Sequence, residues 1–317
     1  MAADEPRCSL PVKITIPDEL KAEVPPNLWG KILNMTPIVM TVIATMLAGL
    51  SSSEMTKAQY TRSLATQQQS KAGDQWGFFQ AKRLRGALQA ETIDVLRNTT
   101  EVPNLDTAAL AAALGPRFDP PTARAAVDLL ISGQLPPAAP AAATDAKVLA
   151  ALEAIDHAVP DADLAKALTA VDDATVATEL RAAQERARAF DALTKPVNQA
   201  IDELSGALES GPSEHAALNR AFTTARLRFA ARRYEAEARM NQYIANLYEL
   251  QVRKSNLAAE RHILRSQRFF YGMLAAQTGV IVATFAIAAR KRNFLWSLAA
   301  AAGVGAVSFA AYVFIFL

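Results

Sequence analysis

Apolar positions fall into three long, uninterrupted runs, with a series of alternating three- and four-residue steps between the first and the second. The first run, Ile32 to Leu50, contains no Asp, Glu, Lys or Arg. At the helical rise it reaches about 28 Å, close to the hydrocarbon thickness of a bilayer. The second run is Phe269 to Ala289 and the third Leu295 to Leu317, with Arg290, Lys291, Arg292, Asn293 and Phe294 between them. Three transmembrane helices are predicted, the last two as a tight antiparallel hairpin. Mixed-charge residues precede the first run where a cleaved leader would need a basic start, so a retained anchor is the favoured reading.

Small residues recur at four-residue intervals inside these runs: Thr41, Thr45 and Gly49 after Pro37, then Ala275, Gly279 and Ala283, then Ser297, Ala301 and Gly305. Such stripes let helix backbones approach closely in lipid, which predicts transmembrane packing through Thr41, Thr45, Gly49, Gly279 and Gly305. Gln277 is the most polar side chain of the second run and is expected to bond between helices.

Between the first and second runs two long helical arms are predicted. Residues 51–98 contain no proline, and Ser51 with Glu54 has the spacing of a capping box. Residues 217–268 contain neither glycine nor proline. As helices the two would measure about 70 Å and about 75 Å, and that agreement predicts an antiparallel hairpin. In the return arm Leu218, Phe222, Ala225, Phe229, Ala236, Met240, Tyr243, Leu247, Leu250, Leu257 and Leu264 make a coiled-coil-like seam with a slip through Arg232. The outgoing arm offers Met55, Tyr60, Leu64, Phe78, Leu84, Leu88 and Val95, interrupted by Gln67, Gln68, Gln69 and Ser70. A partly polar layer is expected there, able to fix register.

Residues 99–216 differ. Alanine dominates and proline punctuates, which predicts short helices at Thr107–Leu114, Thr122–Ile131, Thr144–Ala158, Asp161–Ala170, Asp173–Leu193 and Pro196–Glu209, with Gly115 and Gly133 as stops. Leu135 to Ala143 reads as a semi-rigid linker. This segment is expected to form a small helical lobe with a thin core at the hairpin tip. In the tail, residues 1–31, Val12 to Ile16 alternate, but the stretch reads as extended or disordered. The fold class is therefore all-α: three transmembrane helices plus a long antiparallel hairpin with a helical lobe at its tip.

Composition agrees: 51% of residues are hydrophobic, 20% charged, and the mean hydropathy is +0.09. The net charge of +2 gives no reason to expect a nucleic-acid partner. Cys8 stands alone, and His157, His215 and His262 lack partners at ligand spacing, so neither a metal nor a cofactor is expected. Phosphate-binding glycine loops, nucleophile elbows and metalloprotease or kinase signatures are missing from the sequence, so no enzyme is predicted.

Two charged and aromatic groups stand out. Gln75, Trp76, Phe78, Phe79, Gln80 and Lys82 lie in one string that continues to Arg83 and Arg85 and suits helix packing or a partner groove. Arg261, Arg265 and Arg268 share a helix face just before the second run, where long cations reach lipid headgroups. By contrast Arg226, Arg228, Arg232 and Arg233 read as a solvated face with Arg233–Glu237 and Glu235–Arg239 pairs.

The Gln75–Lys82 string after a first span, followed by a long helix and a terminal apolar pair split by a basic loop ending Phe294-Leu295-Trp296, resembles a bacterial membrane-protein family catalogued as domain of unknown function, numbered 4337. The resemblance covers about residues 28–98 and 230–317, with residues 100–217 as an insertion. It implies a membrane location and a helical hairpin, and lends no catalytic residues.

The reading that follows is a non-enzymatic membrane scaffold or protein-interaction module, self-associating, with lipids and an unidentified protein as partners. The rival is a channel or transporter subunit, which would draw on Asn34, Thr36, Thr41, Thr45, Gln277 and Ser308. Counting Lys and Arg in the flanks places Lys31 and the Arg290–Arg292 loop on the cytoplasmic side of a bacterial inner membrane and the hairpin on the periplasmic side.

Overall fold

The computed structural model describes residues 28–136, 143–211, 215–288 and 292–316. The tail with Val12 to Ile16, most of the Leu135–Ala143 linker and most of the basic part of the loop at 290–292 lie outside them. The described residues form an all-α protein: α1 (Leu28–Thr99), α2 (Thr107–Leu114), a 3₁₀ turn at Gly115–Phe118, α3 (Pro121–Ser132), α4 (Ala146–Asp156), α5 (Asp161–Ala170), α6 (Asp173–Glu209), α7 (Ala216–Ala288) and α8 (Arg292–Phe316). They divide into two units, residues 1–59 with 259–317 and residues 60–258, and α1 and α7 contribute to both.

The first unit holds three helices long and apolar enough to cross a membrane. Within it α1 and α7 run antiparallel, joined at Ser51 and Ser266, whose side chains bond each other at 3.1 Å and each other's backbone carbonyl at 2.9–3.0 Å. Its small core is Ala44, Leu47, Phe269, Ala276, Ala306 and Val313. The larger apolar side chains point outward: Ile38, Val42 and Met46 on α1, Ile281 and Phe285 on α7, Val304, Phe314 and Ile315 on α8. Hydroxyls are satisfied locally, since Thr41, Thr45, Thr278, Thr284 and Ser308 each donate to the carbonyl four residues back.

In the second unit α1 and α7 are again antiparallel, but the outgoing seam departs from expectation. Met55 in the first unit, and Tyr60, Phe78, Leu84, Leu88 and Val95 in the second, are exposed. A stripe of less exposed positions runs through Thr61, Ala65, Gln68, Ala72, Gln75, Phe79, Lys82, Gly86, Gln89, Ile93 and Leu96 in alternating steps of four and three, with the expected Leu64 and also Trp76 half-buried beside it. Up to Ala72 small side chains alternate with polar ones, and Phe79, Ile93 and Leu96 add larger apolar contacts further along. A Cβ on Gly86 would already touch the Ala231 carbonyl and the Tyr234 Cβ at 3.5 Å. Of the glutamine run only Gln68 joins the seam, accepting from Ser255 Oγ at 3.0 Å, while Gln67 and Gln69 are exposed.

The alanine-rich segment is not a lobe confined to a tip. Its helices pack along α7 in two cores: α2, α3 and the C-terminal part of α6 around Phe222 and Phe229, and α4, α5 and the N-terminal part of α6 around Ile244, Leu247 and Leu250. The two predicted helices 173–193 and 196–209 are one, running through Pro196. A proline costs one backbone hydrogen bond, but packing of Phe190, Ile201 and Leu204 on either side holds the helix together. Starts and stops elsewhere match local chemistry. Asp106 and Asp145 cap α2 and α4, and Gly115 and Gly133 end α2 and α3 with φ of 54° and 63°, which glycine alone adopts without strain.

The basic residues of α7 tie these helices down instead of forming a merely solvated face. Arg226 donates to Ser205 Oγ at 3.0 Å, Arg232 donates to the Gly133 carbonyl at the end of α3, and Lys254 bonds the Val171 carbonyl and pairs with Asp173 at 2.8 Å. The Arg233–Glu237 and Glu235–Arg239 pairs are both present.

Candidate functional site

Three helix faces of the second unit converge on a polar cavity of 360 Å³. Helix α1 supplies Gln75, Phe78 and Lys82; α6 supplies Gln184, Arg188 and Asp191; α7 supplies Glu237, Asn241 and Ile244. Each set recurs at three- or four-residue steps, the spacing that puts side chains on one helix face.

Its charged centre is Glu237, whose side chain is only 6% exposed. Lys82 donates to one carboxylate oxygen and Arg233 lies 3.6 Å from the other. Both cations also sit over the Tyr234 ring, at 5.5 Å and 4.5 Å from its centroid. Asp191 shares this field. Partial burial and the Glu237 carboxylate push its carboxyl above the ordinary range, with Lys82 and Arg233 pulling the other way.

The amides are oriented by the protein. Gln184 Nε2 donates to Tyr248 Oη at 2.9 Å and Asn241 Nδ2 donates to the Glu237 carbonyl at 2.9 Å. Each bond uses one of the two N–H donors of its amide and fixes the side chain's orientation. Gln75 Oε1 is buried without a hydrogen-bond partner. A buried amide oxygen in that state carries a desolvation cost that a donor would relieve.

The aromatic string is therefore split by the helix. Gln75, Phe78 and Lys82 line the cavity; Trp76 meets Phe79 edge-on with ring centroids 5.4 Å apart; Arg83 covers Phe79 at 5.8 Å; and Gln80 is exposed. Gln184, Arg188 and Asp191 carried no sequence signal, because i, i+4 and i+7 polar residues on α6 read as an ordinary wet face.

In the first unit, close packing uses other small residues than expected. Thr41, Thr45 and Gly49 are exposed, and α1 instead turns Met40, Ala44, Leu47 and Ser51 inward. Gly305 has nothing within 4 Å of where a Cβ would stand. Gly279 does pack: its Cβ position lies 3.3 Å from the Ala299 carbonyl. Gly272 and Gly303 join it, the latter so tightly that a Cβ would run into the Met40 side chain. Gln277 is exposed instead of bonding between these helices. Trp296 Nε1 donates to Thr36 Oγ1 at 3.1 Å beside an apolar groove of 610 Å³ between α1 and α8.

Near the start of the second apolar run, Arg261 is exposed while Arg265 and Arg268 are half-buried; Arg268 stacks on Tyr312 at 5.4 Å. One turn earlier Glu54 takes bonds from Lys57 at 2.7 Å and His262 Nδ1 at 2.6 Å. Burial pushes the Glu54 carboxyl upward, but those two bonds outweigh it and hold the group below its ordinary value.

Residues 30–117 match the family model described as Domain of unknown function (DUF4337). The match takes in almost all of α1, the whole Gln75–Arg85 string and α2. It reaches into the stretch expected to be an insertion and does not include residues 230–317. Neither the curated proteins nor the solved structures give a match.

Proposed function

We propose that the protein is a self-associating integral membrane scaffold whose first unit lies in the bilayer and whose second unit presents a helical surface to a protein partner. The observation that carries this reading is the inverted side-chain distribution of the first unit. Alanine supplies most of its buried positions, with Met40, Leu47, Phe269 and Val313 among them, and most of its large apolar residues lie on the surface, an arrangement that suits a lipid solvent and is costly in water. Hydroxyls bonded to their own helix, as at Thr41 and Ser308, support packing within lipid more than a water-filled path, which favours the scaffold over a channel or transporter.

Self-association rests on Gln277. Its amide is exposed in the middle of an apolar face flanked by Leu274 and Ile281. An amide is both donor and acceptor, so two copies related by a twofold axis complement each other, and lipid offers nothing else to bond. Light scattering of the detergent-solubilised protein is expected to give a dimer or larger species that Gln277→Leu weakens; a wild-type monomer contradicts the oligomer. Retention in the membrane pellet after alkaline carbonate washing tests the membrane assignment separately. The compartment proposed is a bacterial inner membrane with the second unit on the periplasmic side, in line with Lys31 and the Arg290–Arg292 loop. Protease digestion of inverted vesicles checks it: residues 60–258 should be protected, and cleavage there reverses the orientation.

A further inference from the structure

Gly305 leaves open space where close packing was expected, and that space has a cation at its mouth. A groove of 360 Å³ in the first unit is lined by Arg268 of α7 and by Gly305, Ser308, Phe309 and Tyr312 of α8. The two helices run antiparallel: Phe269 meets Phe314, Gly272 lies against Ala306 and Phe309, and Gly279 lies against Ala299 and Ala302. Arg268 is the last charged residue before the apolar run Phe269–Ala289. It and Tyr312 therefore mark the headgroup level, and Gly305 lies about 10 Å deeper along α8.

The two ends of the groove call for different chemistry. Among the described residues Arg268 has no carboxylate or carbonyl partner, and its guanidinium lies over the Tyr312 ring at 5.4 Å. Glu54 of α1 is already bonded by Lys57 and His262, and Glu260 stands about 12 Å back along α7. Arg261 and Arg265 share the Arg268 face and add to its positive field. Deeper in, Ser308 Oγ donates to the Val304 carbonyl and Phe309 is apolar, so the inner end offers an occupant no free N–H or O–H. An anion at the mouth with an apolar tail inside satisfies both ends.

We propose that this groove is a binding site for an anionic phospholipid, its phosphate accepting from Arg268 and the upper part of one acyl chain lying over Gly305 against Phe309. A second copy of the chain is a poorer match, because the three apolar runs contain no Asp or Glu and bring no carboxylate to the Arg268 level. The proposal rests on the first unit lying in the bilayer and adds a defined lipid to that reading.

The test is native mass spectrometry of the full chain in a mild non-ionic detergent, titrated with phosphatidylglycerol or with phosphatidylcholine of the same acyl chains. Phosphatidylglycerol is expected to be retained with a preference of about fivefold or more, the effect of one cation at a lipid surface. Arg268→Gln should erase that preference, and Arg268→Lys should keep part of it. Gly305→Leu fills the groove without touching the cation and should weaken both lipids by about fourfold or more, the equivalent of about one excluded methylene. Gly49→Leu, in equally open space on α1, is the control and should weaken neither. Unchanged circular dichroism and melting show that a variant has folded; where Arg268→Gln perturbs the fold, Gly305→Leu decides. Equal retention of the two lipids, an undiminished preference in folded Arg268→Gln, or full affinity in folded Gly305→Leu overturns the proposal. If Gly305→Leu lowers the oligomer mass and leaves lipid retention unchanged, the groove is a contact between copies instead. Carbonate washing keeps the two readings apart: a chain that resists extraction but shows no lipid preference loses this site alone, whereas a chain washed out of the pellet loses the bilayer placement as well.

Discussion

Replacing Glu237 with alanine strands two cations that the fold has drawn together. The carboxylate is 6% exposed, and its partners Lys82 and Arg233 retain 30% and 18% of their side-chain exposure. Breaking a fully buried pair by removing one partner costs about 3–5 kcal/mol. Because water still reaches both cations here, the expected loss is smaller, roughly 2–3 kcal/mol, with Tyr234 offering each a second contact. The Asp191 carboxyl should also fall back toward its ordinary range, since Glu237 is one cause of its rise. Trp76 gives a local signal: the other tryptophans, Trp29 and Trp296, belong to the first unit, so replacing them by phenylalanine leaves a probe of the second alone. Denaturant unfolding in detergent, followed by Trp76 fluorescence, measures the loss. A double-mutant cycle with Lys82→Met should return a coupling of about 1 kcal/mol or more, and the double variant should be more stable than Glu237→Ala. A loss under about 0.5 kcal/mol with no coupling, the range of an ordinary surface substitution, would refute the idea that this pair organises the cavity.

Three further outcomes follow from named contacts. Glu54 has its folded-state carboxyl held below the usual 4.5, so its contribution is fully present above that value and disappears as pH falls through the depressed one. Melting curves across that acid range should lose stability less steeply in Glu54→Gln, and identical pH profiles would count against the Lys57 and His262 bonds. Gly272→Val should destabilise the first unit by about 1–3 kcal/mol, because a Cβ there already lies 3.1 Å from the Ala306 carbonyl, whereas Gly49→Ala and Gly305→Ala, with open space around them, should not destabilise it; thermal unfolding ranks them. Leu84→Ser and Leu88→Ser should each change stability by no more than about 0.5 kcal/mol, because both side chains are exposed, and chemical denaturation of the two variants checks this.

The apolar runs and the glycine stops are readable in the sequence because each acts locally, whereas Pro196, read as a break, lies inside α6. Thus α2 and α5 begin and end where Thr107–Leu114 and Asp161–Ala170 had been expected. The α1 seam was not readable in the same way. A search for large hydrophobic residues selects Leu84, Leu88 and Val95, which face outward, while most of the inward positions are alanine, glutamine, lysine and glycine, residues that usually mark a solvated face. Small-residue spacing failed for a related reason. In an alanine-rich helix several faces carry four-residue stripes, and only the partner's shape selects Gly272, Gly279 and Gly303 over Gly49 and Gly305. The course of α4, α5 and α6 along α7 depends on pairs such as Thr144–Tyr243 and Lys254–Asp173, about which no local pattern informs.

The inverted first unit is tested most directly by nitroxide labels and their collision rates with oxygen and with a water-soluble nickel chelate in proteoliposomes. Labels at Val42, Phe285 and Val304, all exposed, should be reached by oxygen and shielded from nickel, while labels at Ala44, Ala276 and Ala306, all buried, should be shielded from both. Free access of nickel to Val42, Phe285 and Val304 would place those surfaces in water and contradict the account.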